Sequence, residues 1–231
     1  MSTESQTFEE KNPELALITF RSPGSVISEA YRTLRTNLGF AAIEQPFRTI
    51  MVTSPSASDG KSTIVSNLAV VTAQAGHNVM LVDCDLRKPI QHKIFQMPNH
   101  TGFTNCILNK VEPEQAAQDL ILGNLKVLTS GPIPPNPAEI LNAERTRSLW
   151  TSLAAQYDYV FIDSPPVLEV ADASILASQV DAVLLVGRYG VTRTEIARQV
   201  KEQLARANAR LIGVVLNQVK MGSGQYYPYG S

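Results

Sequence analysis

The sequence has few cysteines, no strong charge bias and no long apolar run, and each absence excludes a class of protein. Its two cysteines, Cys84 and Cys106, lack metal-ligand spacing and indicate buried thiols in a reducing compartment, not a disulfide framework. The net charge of −1 gives no bulk basicity for binding nucleic acid or an anionic membrane surface. No apolar run approaches the roughly 20 residues that span a bilayer, and the polar stretch 1–13 is unlike a signal peptide.

The 231 residues suffice for one large domain with a sizeable core. Short apolar runs alternate with segments whose apolar residues recur at helical spacing. The runs that predict strands are residues 49–53, 78–83, 126–129, 158–163, 182–187 and 211–216. The first two and the last two of these are predicted to be buried. This alternation predicts an α/β fold with a doubly wound, mostly parallel sheet. We expect a flexible leader at 1–18, the domain at 19–221 and a flexible tail at 222–231.

A loop of small polar residues joins the first predicted strand to a helix. It ends in Gly60-Lys61-Ser62, where a P-loop would place backbone N–H groups and a helix N-terminus against phosphates. In such a loop the lysine reaches the β- and γ-phosphates and the hydroxyl holds Mg²⁺. Pro55 stands where G-x-x-x-x-G-K-[ST] has its first glycine, so an ordinary turn with a surface lysine is the alternative.

Polar residues follow three of the predicted strands. Asp83 and Asp85 end the second strand, where ligands of parallel sheets bind, and could hold Mg²⁺ or abstract a proton, or else cap a helix. Asp163 precedes two prolines in the form of a Walker B carboxylate, with a turn aspartate as the alternative. Asn217 ends the last strand, where its amide could read an adenine edge or form a turn.

Two further patterns lie near the ends of the chain. Within a predicted helix at 25–40, Glu29, Arg32 and Arg35 are three residues apart and form either a solvated stripe or a subunit interface, for which arginine forks are suited. The tail carries three clustered tyrosines between glycines and serines, which suit a binding motif or a modification site; they are Tyr226, Tyr227 and Tyr229. Modification by the nucleotide site of the same chain is the natural proposal.

In their order and spacing, these motifs resemble the bacterial tyrosine kinases, specifically the stand-alone cytoplasmic kinase subunits of capsule and exopolysaccharide systems. The resemblance covers about residues 20–231 and implies a single P-loop NTPase domain of Min/Par-like architecture. It implies ATP and Mg²⁺ as cofactors and autophosphorylation of tail tyrosines in trans within an oligomer. The implied nucleotide-binding residues are Ser58, Asp59, Gly60, Lys61, Ser62, Thr63 and Asn217.

The resemblance also implies roles for the other patterns. Ser62, Asp83 and Asp163 would hold Mg²⁺, and Lys61 with Asp83 or Asp85 would carry catalysis, with the choice of base left open. The stripe at 29–35 would close a homo-oligomeric ring. A transmembrane adaptor of the polysaccharide co-polymerase type would activate the kinase and keep this cytoplasmic chain at the inner face of the cell membrane. A cognate protein-tyrosine phosphatase and control of polysaccharide synthesis and export are implied as well.

The sequence departs from the family pattern at Pro55, and at Asp59, whose carboxylate would either weaken nucleotide binding or face solvent. The alternative function is a Min/Par-type nucleotide-switched ATPase without kinase activity. That group carries a second lysine five residues before the Gly-Lys lysine, where this chain has Ser56. A regulatory nucleotide-binding protein with vestigial kinase activity is a third reading.

Overall fold

The strands build one sheet in the computed structural model of the protein, which describes residues 17–120 and 122–219. Its strands are β1 (Thr49–Thr53), β2 (Val79–Asp83), β3 (Gln118–Asp119), β4 (Leu125–Leu128), β5 (Tyr159–Asp163), β6 (Ala182–Arg188) and β7 (Leu211–Asn217). They lie in the order β3-β4-β2-β5-β1-β6-β7, and every pair is parallel except β3 with β4. The predicted mostly parallel sheet is therefore confirmed.

Helices cover both faces of this sheet. In the described ranges they are α1 (Ile18–Arg21), α2 (Val26–Glu44), α3 (Lys61–Gln74), α4 (Gln91–Ile94), α5 (Phe103–Ile107), α6 (Pro113–Ala116), α7 (Pro137–Asn142), α8 (Glu144–Gln156), α9 (Asp172–Ala177) and α10 (Thr194–Arg206). Since side chains alternate across a strand, Ile50 and Val52 of β1 pack with α2 and α3, whereas Met51 packs into a second core that includes α8 and α10. The sheet is thus doubly wound. None of the described helices is both long and apolar enough to cross a membrane.

Several details differ from the sequence prediction. The predicted helix 25–40 runs one turn further, to Glu44, after an N-cap in which Ser25 accepts the Ser28 N–H. The two-residue strand β3 was not predicted, because two residues carry no periodicity. β7 is not fully buried: Val214 and Leu216 are more than half exposed, since β7 lies at the sheet edge with a neighbour on one side only. Both cysteines are buried, as predicted.

Helix α2 packs along α3, the helix that follows the P-loop. The Arg35 guanidinium donates to the Val71 carbonyl at 2.9 Å, one of the last four carbonyls of α3, which a helix cannot pair itself. Arg32 instead pairs with Glu29 and donates to the Pro23 carbonyl at the surface. Arg35 therefore has a role inside the fold, and the interface role of the stripe stays a prediction.

We expect Arg35→Ala to lower the free energy of unfolding by about 1 kcal/mol, because a cation at a helix C-terminus that bonds an unpaired carbonyl is removed. Urea unfolding followed by circular dichroism measures this change. Arg32→Ala is the matched control and should cost less than about 0.5 kcal/mol, since its contacts are exposed. Equal losses in the two variants would contradict the capping role of Arg35.

Candidate functional site

The three predicted strand ends meet at the carboxyl edge of the sheet. β5 lies between β1 and β2, with Asp163 opposite both Val52 and Asp83. The loop after β1 therefore lies beside two strands that end in aspartates. The Lys61 Nζ is 3.1 Å from Asp85 Oδ2 and 3.6 Å from Asp163 Oδ1. The fold thus gathers the loop lysine and the aspartates into one cluster, although they are separated by up to about a hundred residues of sequence.

The loop between β1 and α3 has the backbone of an anion-binding loop. Ser58 has φ 66° and Gly60 has φ 92°, so two residues of the loop adopt left-handed conformations. Alternation of left-handed and other residues turns successive N–H groups towards a common concavity. Gly60 is also the N-cap of α3, where no side chain caps the helix. The positive end of the helix therefore faces the place where a phosphate would lie.

Asp59 is buried and turned into the loop, so of its two alternatives the one in which it faces solvent is wrong. Its Oδ2 accepts the Ser56 N–H at 3.1 Å, which closes the loop upon itself. Burial raises the pKa of this carboxyl, against the lowering effects of the Ser56 N–H and of the nearby Arg188 charge. Asn217 Nδ2 donates to the Asp59 carbonyl at 2.9 Å. Asn217 thus ties the loop to the end of β7, and an adenine contact by its amide stays a prediction.

Lys61 carries the positive charge of the cluster. Burial alone would lower its pKa, but the carboxylates of Asp163 and Asp85 outweigh burial and raise the pKa above the ordinary lysine value. The ammonium also contacts Ser62 Oγ at 3.2 Å. A permanently charged lysine at a P-loop is suited to hold the oxygens of a phosphate chain.

Asp83 and Asp85 make different contacts, which sequence spacing alone did not distinguish. Asp83 is fully buried, and its two oxygens accept the backbone N–H groups of Asp85, Ile90 and Gln91. Burial and the Asp163 charge raise its pKa well above the ordinary value. Asp85 accepts the Lys88 N–H with Oδ1 and contacts Lys61 with Oδ2. Asp83 thus organises the loop after β2, whereas Asp85 reaches into the cluster.

The two carboxylate oxygens of Asp163 differ: one accepts a hydrogen bond and the other has no hydrogen-bond partner among the described residues. Its Oδ2 accepts the Gln91 Nε2–H at 2.8 Å, whereas the buried Oδ1 has no hydrogen bond to any described residue. Burial raises the pKa of the carboxyl and the Lys61 charge opposes that shift. The Ser62 hydroxyl also interacts with the Asp163 carboxyl. An unpaired carboxylate oxygen and a nearby hydroxyl fit a P-loop Mg²⁺, which takes one or two protein oxygens together with phosphates and water. No closed cage of three or more His, Cys, Asp or Glu side chains occurs in the described ranges.

Sequence reasoning missed three residues that shape this site. Gln91 bonds Asp163 from a region with no recognisable motif, and Glu169 Oε1 accepts the Ala57 N–H of the P-loop at 2.7 Å. Arg87 forms a two-pronged pair with the buried Asp172, at 2.8 and 3.0 Å, and so ties the loop after β2 to α9. Only Arg87 had a signal, its position in Asp83-x-Asp85-x-Arg87. The predicted tail tyrosines Tyr226, Tyr227 and Tyr229 lie outside the described residues.

We expect Glu169→Ala to tighten ATP binding by up to about fivefold, because the carboxylate occupies an N–H of the loop that a nucleotide phosphate would use. Calorimetric titration at low ionic strength measures the affinity, and the gain should shrink as salt screens the charge. Glu202→Gln, which removes an exposed carboxylate from α10, is the control for net charge. A gain of the same size in both variants would show a long-range charge effect in place of competition at Ala57.

Comparison with known proteins identifies relatives in sequence and in overall fold. Residues 50–227 match the CobQ/CobB/MinD/ParA nucleotide binding domain. Tyrosine-protein kinase YwqD of Bacillus subtilis (strain 168) is 44% identical over 213 residues, which cover 92% of this chain and 90% of that protein. The kinase domain of Escherichia coli tyrosine kinase ETK superposes with a TM-score of 0.86 at 33% identity, over 93% of this chain and 84% of that chain. The chimerical protein CapA2B2 gives a TM-score of 0.85 at 38% identity, over 90% and 91%.

A solved structure with lower sequence identity shares the fold of this chain without showing a common function. The septum site-determining protein MinD of Pyrococcus horikoshii OT3, solved with Mg-ADP, is 22% identical with a TM-score of 0.63, over 73% of this chain and 69% of that chain. This likeness shows the P-loop NTPase fold alone. The tyrosine kinases are more similar to this chain both in sequence and in structure. The chain therefore belongs to the CobQ/CobB/MinD/ParA nucleotide-binding family and, within it, to the bacterial tyrosine-protein kinases.

Proposed function

We propose that this chain is an ATP- and Mg²⁺-dependent protein-tyrosine kinase that phosphorylates the tail tyrosines of a neighbouring copy of itself. The observation that carries the proposal is the cluster at the P-loop, in which the Lys61 ammonium lies 3.1 Å from Asp85 and 3.6 Å from Asp163. Phosphoryl transfer needs a cation on the phosphates, carboxylates for the metal and a carboxylate for the incoming hydroxyl. The cluster supplies each of these groups at one place.

Binding of the nucleotide would use groups that already face one another. The N–H groups of residues 58–63 and the N-terminus of α3 would hold the phosphate chain, with Lys61 on its outer oxygens. Ser62 Oγ and Asp163 Oδ1 would hold Mg²⁺, directly or through water. When bound, Mg²⁺ supplies positive charge that neutralises the phosphate oxygens during transfer.

Of the two candidate bases, we assign the role to Asp85. Both oxygens of Asp83 accept backbone N–H groups, so a role for Asp83 in shaping the loop accounts for its contacts. Among the described residues, Asp85 Oδ2 contacts only the Lys61 ammonium, which the phosphates of ATP would draw away. The Asp85 carboxylate could then orient a tyrosine hydroxyl, whose pKa is near 10, and accept its proton as the phosphoryl group transfers.

The proposal extends to the assembly and the partners of the kinase. A ring of identical subunits, closed through the stripe at 29–35, would bring the tail of one subunit to the P-loop of the next. A transmembrane adaptor of the polysaccharide co-polymerase type would activate the kinase and keep it at the inner face of the cell membrane, and a cognate phosphatase would reset the tail. The output would be control of capsular or exopolysaccharide synthesis and export. The family membership supports this setting.

With Mg-ATP we expect phosphotyrosine on the intact chain and none above background on two variants. Lys61→Met removes the cation that holds the phosphates, and the triple change of Tyr226, Tyr227 and Tyr229 to Phe removes the acceptors. Lys201→Met, which removes an exposed lysine of α10, is the matched control and should keep full activity. Anti-phosphotyrosine blotting and intact-protein mass spectrometry measure the product, with and without the cytoplasmic tail of a candidate adaptor.

The same experiment distinguishes the proposed kinase from a nucleotide-switched ATPase. If no phosphotyrosine forms under any condition, while phosphate is released steadily in a manner that depends on Lys61, the chain acts as a nucleotide-switched ATPase. Ser56, at the position where that group carries its second lysine, disfavours this outcome. If the triple Phe variant remains phosphorylated, the acceptors lie elsewhere in the chain, and the tail is not the substrate.

A further inference from the structure

A single buried glutamine joins all three segments of the site. Gln91 is the first residue of α4 and is fully buried. Its backbone N–H donates to Asp83 Oδ2 at 2.9 Å, and its side-chain Nε2 donates to Asp163 Oδ2 at 2.8 Å. Its Oε1 accepts from the Ser66 hydroxyl of α3 at 2.7 Å. The end of β2, the end of β5 and the P-loop helix therefore share one side chain as a common partner.

These contacts determine which way the amide points. An ionised carboxylate only accepts hydrogen bonds, so the nitrogen of the Gln91 amide must face Asp163. The oxygen then faces the Ser66 hydroxyl at 2.7 Å, and the second N–H points towards the Ser62 carbonyl at 3.4 Å. The single proton of that hydroxyl is shared between the Gln91 oxygen and the Ser62 carbonyl, which lies 2.6 Å from the Ser66 oxygen. Because each polar atom of the side chain has a partner in the buried interior, the amide has one favourable orientation.

The orientation of Gln91 has a consequence for Asp163. With Oδ2 held by the amide, the plane of the carboxylate is set, and Oδ1 is directed to the side of Lys61 and left without a hydrogen bond. Without the amide, the Asp163 carboxylate could rotate about its side-chain bond, and both of its oxygens could then accept hydrogen bonds from the Lys61 ammonium. We propose that Gln91 is a positioning residue that presents Asp163 Oδ1 to the divalent cation. This inference rests on the proposed use of Asp163 as a magnesium ligand.

Outer partners of metal ligands typically change metal affinity by about 10- to 100-fold when they are removed. Gln91→Met keeps the volume of the side chain and removes its hydrogen bonds. We expect this variant to need about tenfold more Mg²⁺ for half-maximal enhancement of ADP binding. Its affinity for ADP in EDTA should stay within about twofold of the wild type, because Gln91 bonds no N–H group of the P-loop.

The readout is direct binding, so it does not depend on kinase activity. Calorimetry gives the ADP affinity at a series of Mg²⁺ concentrations, and electron paramagnetic resonance of Mn²⁺ gives the metal affinity itself. Gln91→Asn is the second variant: it keeps an amide in the buried site but is one methylene too short to reach Asp163. Gln179→Met is the matched control, since Gln179 is a half-buried glutamine whose Nε2 donates to the Leu141 carbonyl, on α7.

A specific loss of metal affinity in both Gln91 variants, with the control unchanged, supports the positioning role. Unchanged metal affinity in a Gln91 variant that is merely less stable would overturn it and leave the proposed function standing. An equal loss of ADP affinity with and without metal would also overturn it, since the glutamine would then shape the P-loop itself. Wild-type ADP binding that ignores Mg²⁺ would overturn the inference together with the proposed function.

Discussion

Three aspartates and one lysine lie together at the carboxyl edge of the sheet, and the site depends on how their charges are compensated. Burial raises the pKa values of Asp83 and Asp163, so their ionised forms carry an energetic cost that the fold must offset. The offset comes from Lys61, from backbone N–H groups on Asp83 and from the Gln91 amide on Asp163. The same contacts hold the P-loop and the loop after β2 against the ends of the strands. The groups that compensate the charges therefore also set the shape of the site.

The sheet topology makes this arrangement possible. β1, β2 and β5 are far apart along the chain but adjacent in the sheet, and their parallel direction brings all three carboxyl ends to one edge. The helix after the P-loop is held at its far end by Arg35 and by Asn124, whose Nδ2 donates to the Ala73 carbonyl at 2.7 Å. Helix α2 is therefore connected through Arg35 to α3, the helix that begins at the end of the P-loop.

The P-loop departs from its consensus, and it is held by one of its own side chains and by side chains of two other segments. Pro55 takes the place of a glycine, and the loop is held by Asp59 on the Ser56 N–H, by Asn217 on the Asp59 carbonyl and by Glu169 on the Ala57 N–H. Two of these contacts place carboxylates beside an anion-binding loop. A nucleotide bound at this loop would have to displace or tolerate these carboxylates, so we expect their negative charge to weaken its binding.

The alternation of strands and helices, the P-loop and the aspartates at strand ends could be predicted from sequence, because periodicity and strand-end chemistry are local. The sequence could not distinguish Asp83 from Asp85, since residues two apart share a face, and it could not show that Asp59 turns inwards. Gln91 and Glu169 carry no local signal at all, because their partners lie 72 and 112 residues away. These contacts arise only when the chain folds, since the hydrogen bonds of a buried polar side chain depend on the partners that the fold brings to it.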